Sequence, residues 1–536
     1  MTVSSGRSPH KTRILVTGAS GFVGSHFLKA IKDDYYIYAV ARRKQHASGV
    51  PVQENIHWLR GDLGDRNTVQ RITEHIALEG GVDYVFHFAG FYDFTNRDNP
   101  EYTRTNIDGT RFLLENCVNL GVKRFVFASS LTVTQFSKKA DKVTENSPPN
   151  ATIPYARSKQ AAEDIIREYS SHFSCTIVRM AAIFSDWCEY GPLYILLKKW
   201  LSSGWQSRFI PGSGETALPY LHINALTSLW KKILDNHNNL ASLDIILASP
   251  DGCNSHSEIH QVATRYYNGQ AKKPYYIPVW LAAIGILMLQ SINLLLKFEQ
   301  PFERIWMLKY IDSRLDVDAT ASRRLIDWAP TPRYLLKRRM LFLIENMKSN
   351  PNLWEQRNLA MAHKSVEKRP GLKIYEAMLA VKESVIEEHV AYLMAPENRN
   401  IFPHYQQIDI DSLRIRARFI YEMLEVAILN GDRKHLLCYS SYIARQRYKQ
   451  GIGFKELSCA LEHNAGAIVR TLHETPSLKN LNHIIHDEIS LTMQFILDEI
   501  EDVYHRLGEP DTDFSEDDKR CANITMQLNK KNIDSM

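Results

Sequence analysis

Arg13-Ile-Leu-Val-Thr-Gly18-Ala-Ser-Gly21-Phe-Val-Gly24-Ser25 is an apolar strand that runs into a glycine turn and out into a helix. Gly18 permits the tight turn, Gly21 lets backbone N–H groups approach a pyrophosphate, and Gly24 lets the helix pack close on the strand. The phosphates then sit at the positive end of the helix dipole, so the stretch predicts a dinucleotide-binding βαβ unit. Working outward, Val-, Ile- and Phe-rich runs at 13–17, 36–41, 56–60, 83–88, 123–128 and 175–179 alternate with helical stretches at 22–31, 66–78, 101–120 and 155–171. That alternation predicts an α/β fold, a doubly wound parallel sheet of Rossmann type. After residue 180 the regularity loosens, which suits a small substrate lobe drawn mainly from 181–218 and 250–345.

A second signal is Tyr155-Ala-Arg-Ser-Lys159. A Tyr and a Lys four apart lie on one helix face. There the ammonium can hold down the phenol pKa and make the Tyr a proton donor or acceptor near neutrality. The second strand ends not in the Asp or Glu that would accept a bond from the ribose 2′-OH of NAD but in Arg42. A guanidinium there can take a 2′-phosphate in bidentate fashion, which favours NADP(H) over NAD(H). The bland alternative for Arg42 is a solvated turn charge.

These residues resemble the extended short-chain dehydrogenase/reductases, the group labelled NAD-dependent epimerase/dehydratase. The resemblance rests on Thr17–Gly24, Gly61-Asp-Leu63, His87-Phe-Ala-Gly90, Asn106-Ile-Asp-Gly-Thr110, Phe127-Ala-Ser-Ser130, Tyr155-x-x-x-Lys159 and Tyr220-Leu-His-Ile-Asn224, in that group's order over residues 11 to 345. It implies a dinucleotide held by Gly18, Ser20, Gly21, Phe22, Val23, Gly24, Arg42, Asp62, Leu63, Phe88, Ala89 and Gly90, together with Tyr155 and Lys159. It also implies a catalytic set in which Tyr155 shuttles the proton, Lys159 holds the nicotinamide ribose, and Ser130 orients the substrate oxygen, with Ser129 as competitor. Asn106 supports the active-site helix and its water. Three departures, Arg179-Met180, Phe184-Ser185 and His222-Ile-Asn-Ala225, leave Tyr155 and Lys159 in place and put the shape of the lobe in question.

The implied activity is hydride transfer at a secondary alcohol or ketone. Aromatic residues Phe91, Tyr92, Phe94, Phe184, Trp187, Tyr190, Trp200 and Trp205 suit an apolar or ring-bearing substrate of the hydroxysteroid dehydrogenase or dihydroflavonol reductase kind, or else fill a core. Two alternatives stay open. One is a nucleotide-sugar epimerase or dehydratase with a tightly bound cofactor; the other is a dinucleotide-binding redox sensor signalling through the C-terminal region. A homo-oligomer is expected.

With 65 Lys+Arg against 60 Asp+Glu and no long basic run, no nucleic-acid footprint is indicated. The 20 His show no spacing like a closed zinc site, so no metal is expected. Seven scattered Cys without a C-x-x-C pair read as reduced thiols of a cytoplasmic protein. Residues 1–10 read as a disordered leader without an apolar core. One segment stands apart: 277–296 is apolar for about the length that spans a bilayer, although Pro278, Gln290, Ser291 and Asn293 dilute it. Its readings are a buried or cap helix of the lobe, a peripheral membrane contact, or a span.

Residues 346–370 are polar and broken by Pro and read as a linker. From 371 to 508 long amphipathic stretches predict a helical bundle. One of them puts Ile415, Phe419, Ile420, Met423, Leu424 and Ala427 in a single stripe. Residues 414–457 resemble the N-terminal helical domains of stressosome co-antagonist proteins of the RsbR type, which implies a sensory or partner-binding module, or one that self-associates. Residues 509–536 read as a disordered tail.

Overall fold

The computed structural model describes residues 11–93, 96–137, 141–295, 304–362, 370–430 and 434–508. The apolar runs fold as β1 (Arg13–Thr17), β2 (Tyr36–Ala41), β3 (Ile56–Arg60), β4 (Tyr84–His87), β5 (Arg124–Ser130) and β6 (Ser174–Met180), and a further strand, Leu243–Ala248, completes the sheet. The order is Leu243–Ala248, β6, β5, β4, β1, β2, β3, with every neighbouring pair parallel. Alternation along the strands sorts the core into two layers. Ile14 and Val16 of β1 meet the helices α1 (Phe22–Ile31) and Ile223–Asp235 through Phe27, Leu226 and Trp230. Leu15, between them, faces α2 (Arg66–Leu78), α3 (Gly109–Cys117) and α4 (Pro154–Tyr169) through Val69, Leu113 and Ile165.

Local chemistry fixes the helix starts. The Asp65 carboxylate accepts from the Thr68 backbone N–H at 2.9 Å to cap α2. Pro154 opens α4 at a first-turn position, where its missing N–H costs nothing. The helix expected over 101–120 is interrupted: Tyr102–Asp108 winds as a π-helix before α3 begins. Such wide turns are found at functional sites, and this one turns Asn106 into the protein.

The lobe is built around its own apolar cluster, in which Phe184, Leu193, Leu197, Trp200 and Tyr220 pack with Ile259, Met340, Leu343 and Trp354. That cluster corrects the linker expected at 346–370. Leu336–Ser349 and Pro351–Ala362 are helices, and the second is held down by the buried Trp354 and by Asn358, whose amide donates to the Trp187 carbonyl at 2.8 Å. The remainder of that stretch, 363–369, lies outside the described residues, as do Phe94, the leader and the tail.

The apolar segment is neither a buried helix nor, as described, a span. Val279–Leu295 is a helix, but among its described side chains Ala282, at 7% exposure, is the buried one, while Trp280, Leu281, Ile284, Leu287 and Met288 are exposed. No helix among the described residues is long and apolar enough to cross a membrane.

Packing separates residues 1–367 from 368–536. Taken by itself, the second unit is all helix: Pro370–Met394, Ile410–Asn430, Lys434–Lys449, Phe454–Glu474 and Asn482–Gly508 share one apolar core. Phe419, Met423, Leu424 and Ala427 are buried in it, whereas Ile415, expected in the same stripe, is exposed because the stripe turns to Leu413 and Ala417. Cys117, Cys175, Cys188, Cys253 and Cys459 are free thiols.

Candidate active site

Every strand from β1 to β5 delivers a candidate residue at its C-terminal end, where a doubly wound sheet opens its ligand crevice. After β1 the chain turns at Gly18 with φ +68°, where a Cβ would lie 2.6 Å from the Ala89 backbone nitrogen. Only glycine brings the end of β1 this close to the exit of β4. Gly21 then caps α1 with no side-chain hydrogen bond and no acidic residue in the first turn, so the first amides of α1 are left for an external acceptor. Ser20, Phe22 and Val23 flank these amides and are half-buried. Gly24 is buried against the Gly18 carbonyl, and Leu63 is buried beneath the rim.

Beyond β2 and β3 stands a charged cluster. Asp62 lies 3.7 Å from Arg42 and 2.9 Å from Arg104, and Glu101 lies 3.9 and 3.2 Å from the same two guanidinium groups. Burial opposes ionisation of Asp62, but Arg42 and Arg104 outweigh it and hold the carboxyl below the usual carboxylate range. Arg104 and Glu101 were not singled out in the sequence; the π-helical turn carries them there.

The catalytic candidates converge between β5 and α4. Ser130, the last residue of β5, hydrogen-bonds the Tyr155 phenol and also the Thr132 hydroxyl at 2.9 Å. Ser129 points the other way and donates to the buried Glu163 carboxylate at 2.6 Å. Glu163 is in turn gripped by Arg179 at 2.8 Å. The two serines thus occupy opposite faces of β5, and Ser130 is the one that faces Tyr155. Lys159 is buried, donates to the Ala128 carbonyl at 2.9 Å and lies 4.5 Å from the centre of the Phe127 ring. Burial pulls its pKa down to about 8, opposed by Glu163. Burial pushes Tyr155 up to about 12, with the Ser130 bond pulling the other way. This corrects the expectation of a phenol held low: desolvation exceeds any help from Lys159, whose ammonium is spent on the β5 carbonyl.

Asn106 reaches none of these reacting groups. Its amide oxygen accepts from the Phe91 N–H at 2.6 Å, and its nitrogen donates to the Phe91 carbonyl and to Ser158 Oγ, both at 2.9 Å. It therefore ties the loop after β4 to the helix that carries Tyr155. Below it, His87 joins Thr17 of β1 (2.7 Å) to Thr110 of α3 (2.9 Å), and burial lowers its pKa to about 3, which keeps it neutral.

Tyr155 opens into a cleft lined by Tyr92, Asp93, Asn96, Tyr102, Ile153, Pro154 and Trp306. Tyr92 stands edge-on to Tyr155 with ring centres 4.5 Å apart. Of the aromatics expected here, Phe184 and Trp200 are in the lobe core and Trp205 is on the surface at 72% exposure. Trp187 lies under Arg357. Trp306, which does line the cleft, carries no local signal in the sequence. Glu163 does carry one, since it continues the helical spacing of Tyr155 and Lys159. No group of three or more His, Cys, Asp or Glu among the described residues is placed to hold a metal ion.

Residues 14–247 match the family model of the NAD dependent epimerase/dehydratase family. The resemblance read from the glycine turn and from Tyr155 and Lys159 holds over that span. dTDP-D-glucose 4,6-dehydratase of Mus musculus is 30% identical over 176 residues, covering 31% of this chain and 48% of the relative. UDP-glucose 4-epimerase 2 of Arabidopsis thaliana is 34% identical over 164 residues, covering 29% of this chain and 46% of the relative. The chain spans about half the length of these curated relatives. A solved UDP-glucose 4-epimerase of Thermus thermophilus, in complex with NAD, aligns over 63% of this chain and 100% of its own with a TM-score of 0.47 and 18% identity.

Proposed function

We propose that residues 11–362 form a nicotinamide-dinucleotide-dependent oxidoreductase acting at a secondary alcohol or ketone, with Tyr155 as its proton shuttle. The observation that carries this reading is the meeting of Ser130, Tyr155 and Lys159 beside the glycine turn, with Ser129 drawn away into the core. A bound nicotinamide would supply the hydride donor or acceptor. In the reductive direction the phenol, protonated because its pKa is about 12, donates to the carbonyl oxygen while the Ser130 hydroxyl orients that oxygen. In the oxidative direction the phenol must first lose its proton. Lys159, on the same helix face and charged below about pH 8, supplies the positive field that favours this. Asn106 acts by holding α4 and the loop after β4 in register, as a positioning residue. Arg42 supports NADP(H) over NAD(H), although Asp62 and Glu101 already share its charge, which limits the preference to about tenfold.

A nucleotide-sugar epimerase or dehydratase is the second reading, supported by the names of the relatives. It would use the same groups to oxidise a sugar transiently and return the hydride. Product analysis separates the two. With excess dinucleotide and an apolar secondary alcohol, net turnover accumulates reduced nicotinamide, seen by its near-ultraviolet absorbance; a nucleotide sugar converted without that accumulation supports the second reading. The helical unit, residues 370–508, is proposed as a sensory, partner-binding or self-associating module.

A further inference from the structure

The helix Val279–Leu295 leaves a large apolar face uncovered. At 100° per residue, Trp280, Leu281, Ile284, Leu287 and Met288 fall within roughly 120° of arc, opposite the buried Ala282. Trp280 is 65% exposed and Met288 61%. As described, the helix is not long and apolar enough to cross a membrane. Two further features tell what covers the face. Between Glu258 and Glu299 the sequence has no acidic residue but contains Arg265, Lys272, Lys273 and Lys297. At the root of the helix is an aromatic rim: the strand Tyr275–Ile277 pairs with Phe209–Pro211, Tyr275 and Tyr276 are half-exposed, and Arg208 lies over the Tyr275 ring and donates to its hydroxyl at 3.2 Å. Exposed Trp205 stands against Phe209 in the same rim. Apolar side chains flanked by Trp and Tyr, in a stretch of sequence that carries basic residues and no acidic ones, match the layers of an anionic lipid interface.

We propose that Val279–Leu295 lies in the plane of an anionic membrane surface, with Trp280, Leu287 and Met288 in the acyl boundary and the rim of Trp205, Tyr275 and Tyr276 at the headgroups. The helix packs on the turn Ile305–Tyr310, whose Trp306 lines the Tyr155 cleft. That turn is fixed over α4 by Tyr310, which hydrogen-bonds Thr152 at 2.7 Å and meets Phe136 ring to ring. Membrane contact therefore places the cleft mouth next to lipid, and the substrate class becomes an alcohol or ketone dissolved in the bilayer. This last step rests on the oxidoreductase reading; attachment itself does not.

The test is sedimentation of the full chain with vesicles of equal parts phosphatidylcholine and phosphatidylglycerol, and with phosphatidylcholine alone. Wild type should partition to the mixed vesicles, at least tenfold more weakly to the neutral ones, and Trp280→Glu/Met288→Glu should lose at least tenfold on the mixed vesicles. Quenching of tryptophan emission by brominated lipid should diminish in Trp280→Phe, a substitution that leaves the fold unstrained. No partition by wild type, partition unchanged in the double variant, or quenching unchanged in Trp280→Phe overturns the proposal. So does a smaller oligomer in the double variant with no vesicle binding by wild type, which would make the face a protein interface. Partition as expected without turnover of any bilayer-dissolved alcohol would retain the attachment and remove the oxidoreductase reading alone.

Discussion

The βαβ half of the N-terminal unit, residues 11–180, and the lobe beyond it place functional atoms by different means. In the first, Gly18, Arg42, Asp62, Ala89 and Ser130 each sit where a parallel strand ends, so a local signal and a site coincide. In the second, Trp306 lines the Tyr155 cleft on a turn that Tyr310 anchors to Thr152 and Phe136, and no neighbouring residue in the sequence announces it. The strand ends set which chemistry is available. The lobe, by contrast, would set which molecule meets it, and it is tied to the sheet at one edge, where the Leu247 backbone N–H donates to Ser322 at 2.8 Å.

Tyr155→Phe breaks the first half most severely. Removing the proton donor while keeping the ring against Tyr92 should lower kcat about a thousandfold with little change in dinucleotide affinity; an equal loss of affinity and rate would mean the residue binds rather than reacts. Asn106→Ala comes next. It strands the buried Phe91 N–H and frees α4 from the loop after β4, at a cost of about 2 kcal/mol in stability, measured by denaturant unfolding. If Tyr155 is held by Asn106, kcat should fall more than KM rises. On the lobe side, Trp306→Ala should raise KM about tenfold and leave kcat almost untouched. A comparable drop in kcat would erase the division of labour between the two halves.

The smallest effect is in pH. Because burial lowers Lys159 to about 8, its charge is lost as pH rises through that value, and kcat/KM should decline above about pH 8 in wild type. In Lys159→Arg, with a guanidinium that stays charged, that alkaline limb should move upward. The stability sign is opposite. An exposed lysine in the unfolded chain keeps its proton to about 10.5, so the unfolded state binds more protons between pH 8 and 10.5 and Lys159 makes folding more favourable as pH rises across that window.

Much of the sheet was legible because its physics is local: β1 and α1 run where the apolar run and the glycine turn put them, and Pro154 marks the start of α4. The interruption at Tyr102–Asp108 was not, since a π-turn is stabilised by Asn106 gripping Phe91 and Ser158, contacts from distant positions. The ionisation of Tyr155 is not legible in the sequence for a related reason. Helical spacing gives the neighbour Lys159 but not the burial of the phenol, nor the Ala128 carbonyl that takes the ammonium's bond. The Pro-broken stretch after 346 looked like a linker because Trp354 and Asn358 are anchored to lobe residues Trp187 and Glu189 far back in the chain. In the helical unit, the amphipathic stripe holds at Leu424 and Ala427 and fails at Ile415, because at that end the buried face runs through Leu413 and Ala417 instead.

The central claim is that the crevice above Gly18 holds a nicotinamide dinucleotide next to Tyr155. Calorimetric titration of the full chain with NAD, NADH, NADP and NADPH tests it most directly. One dinucleotide should bind per chain, with NADPH the tighter ligand and its advantage lost in Arg42→Ala; the absence of binding by all four to a folded protein would contradict the account.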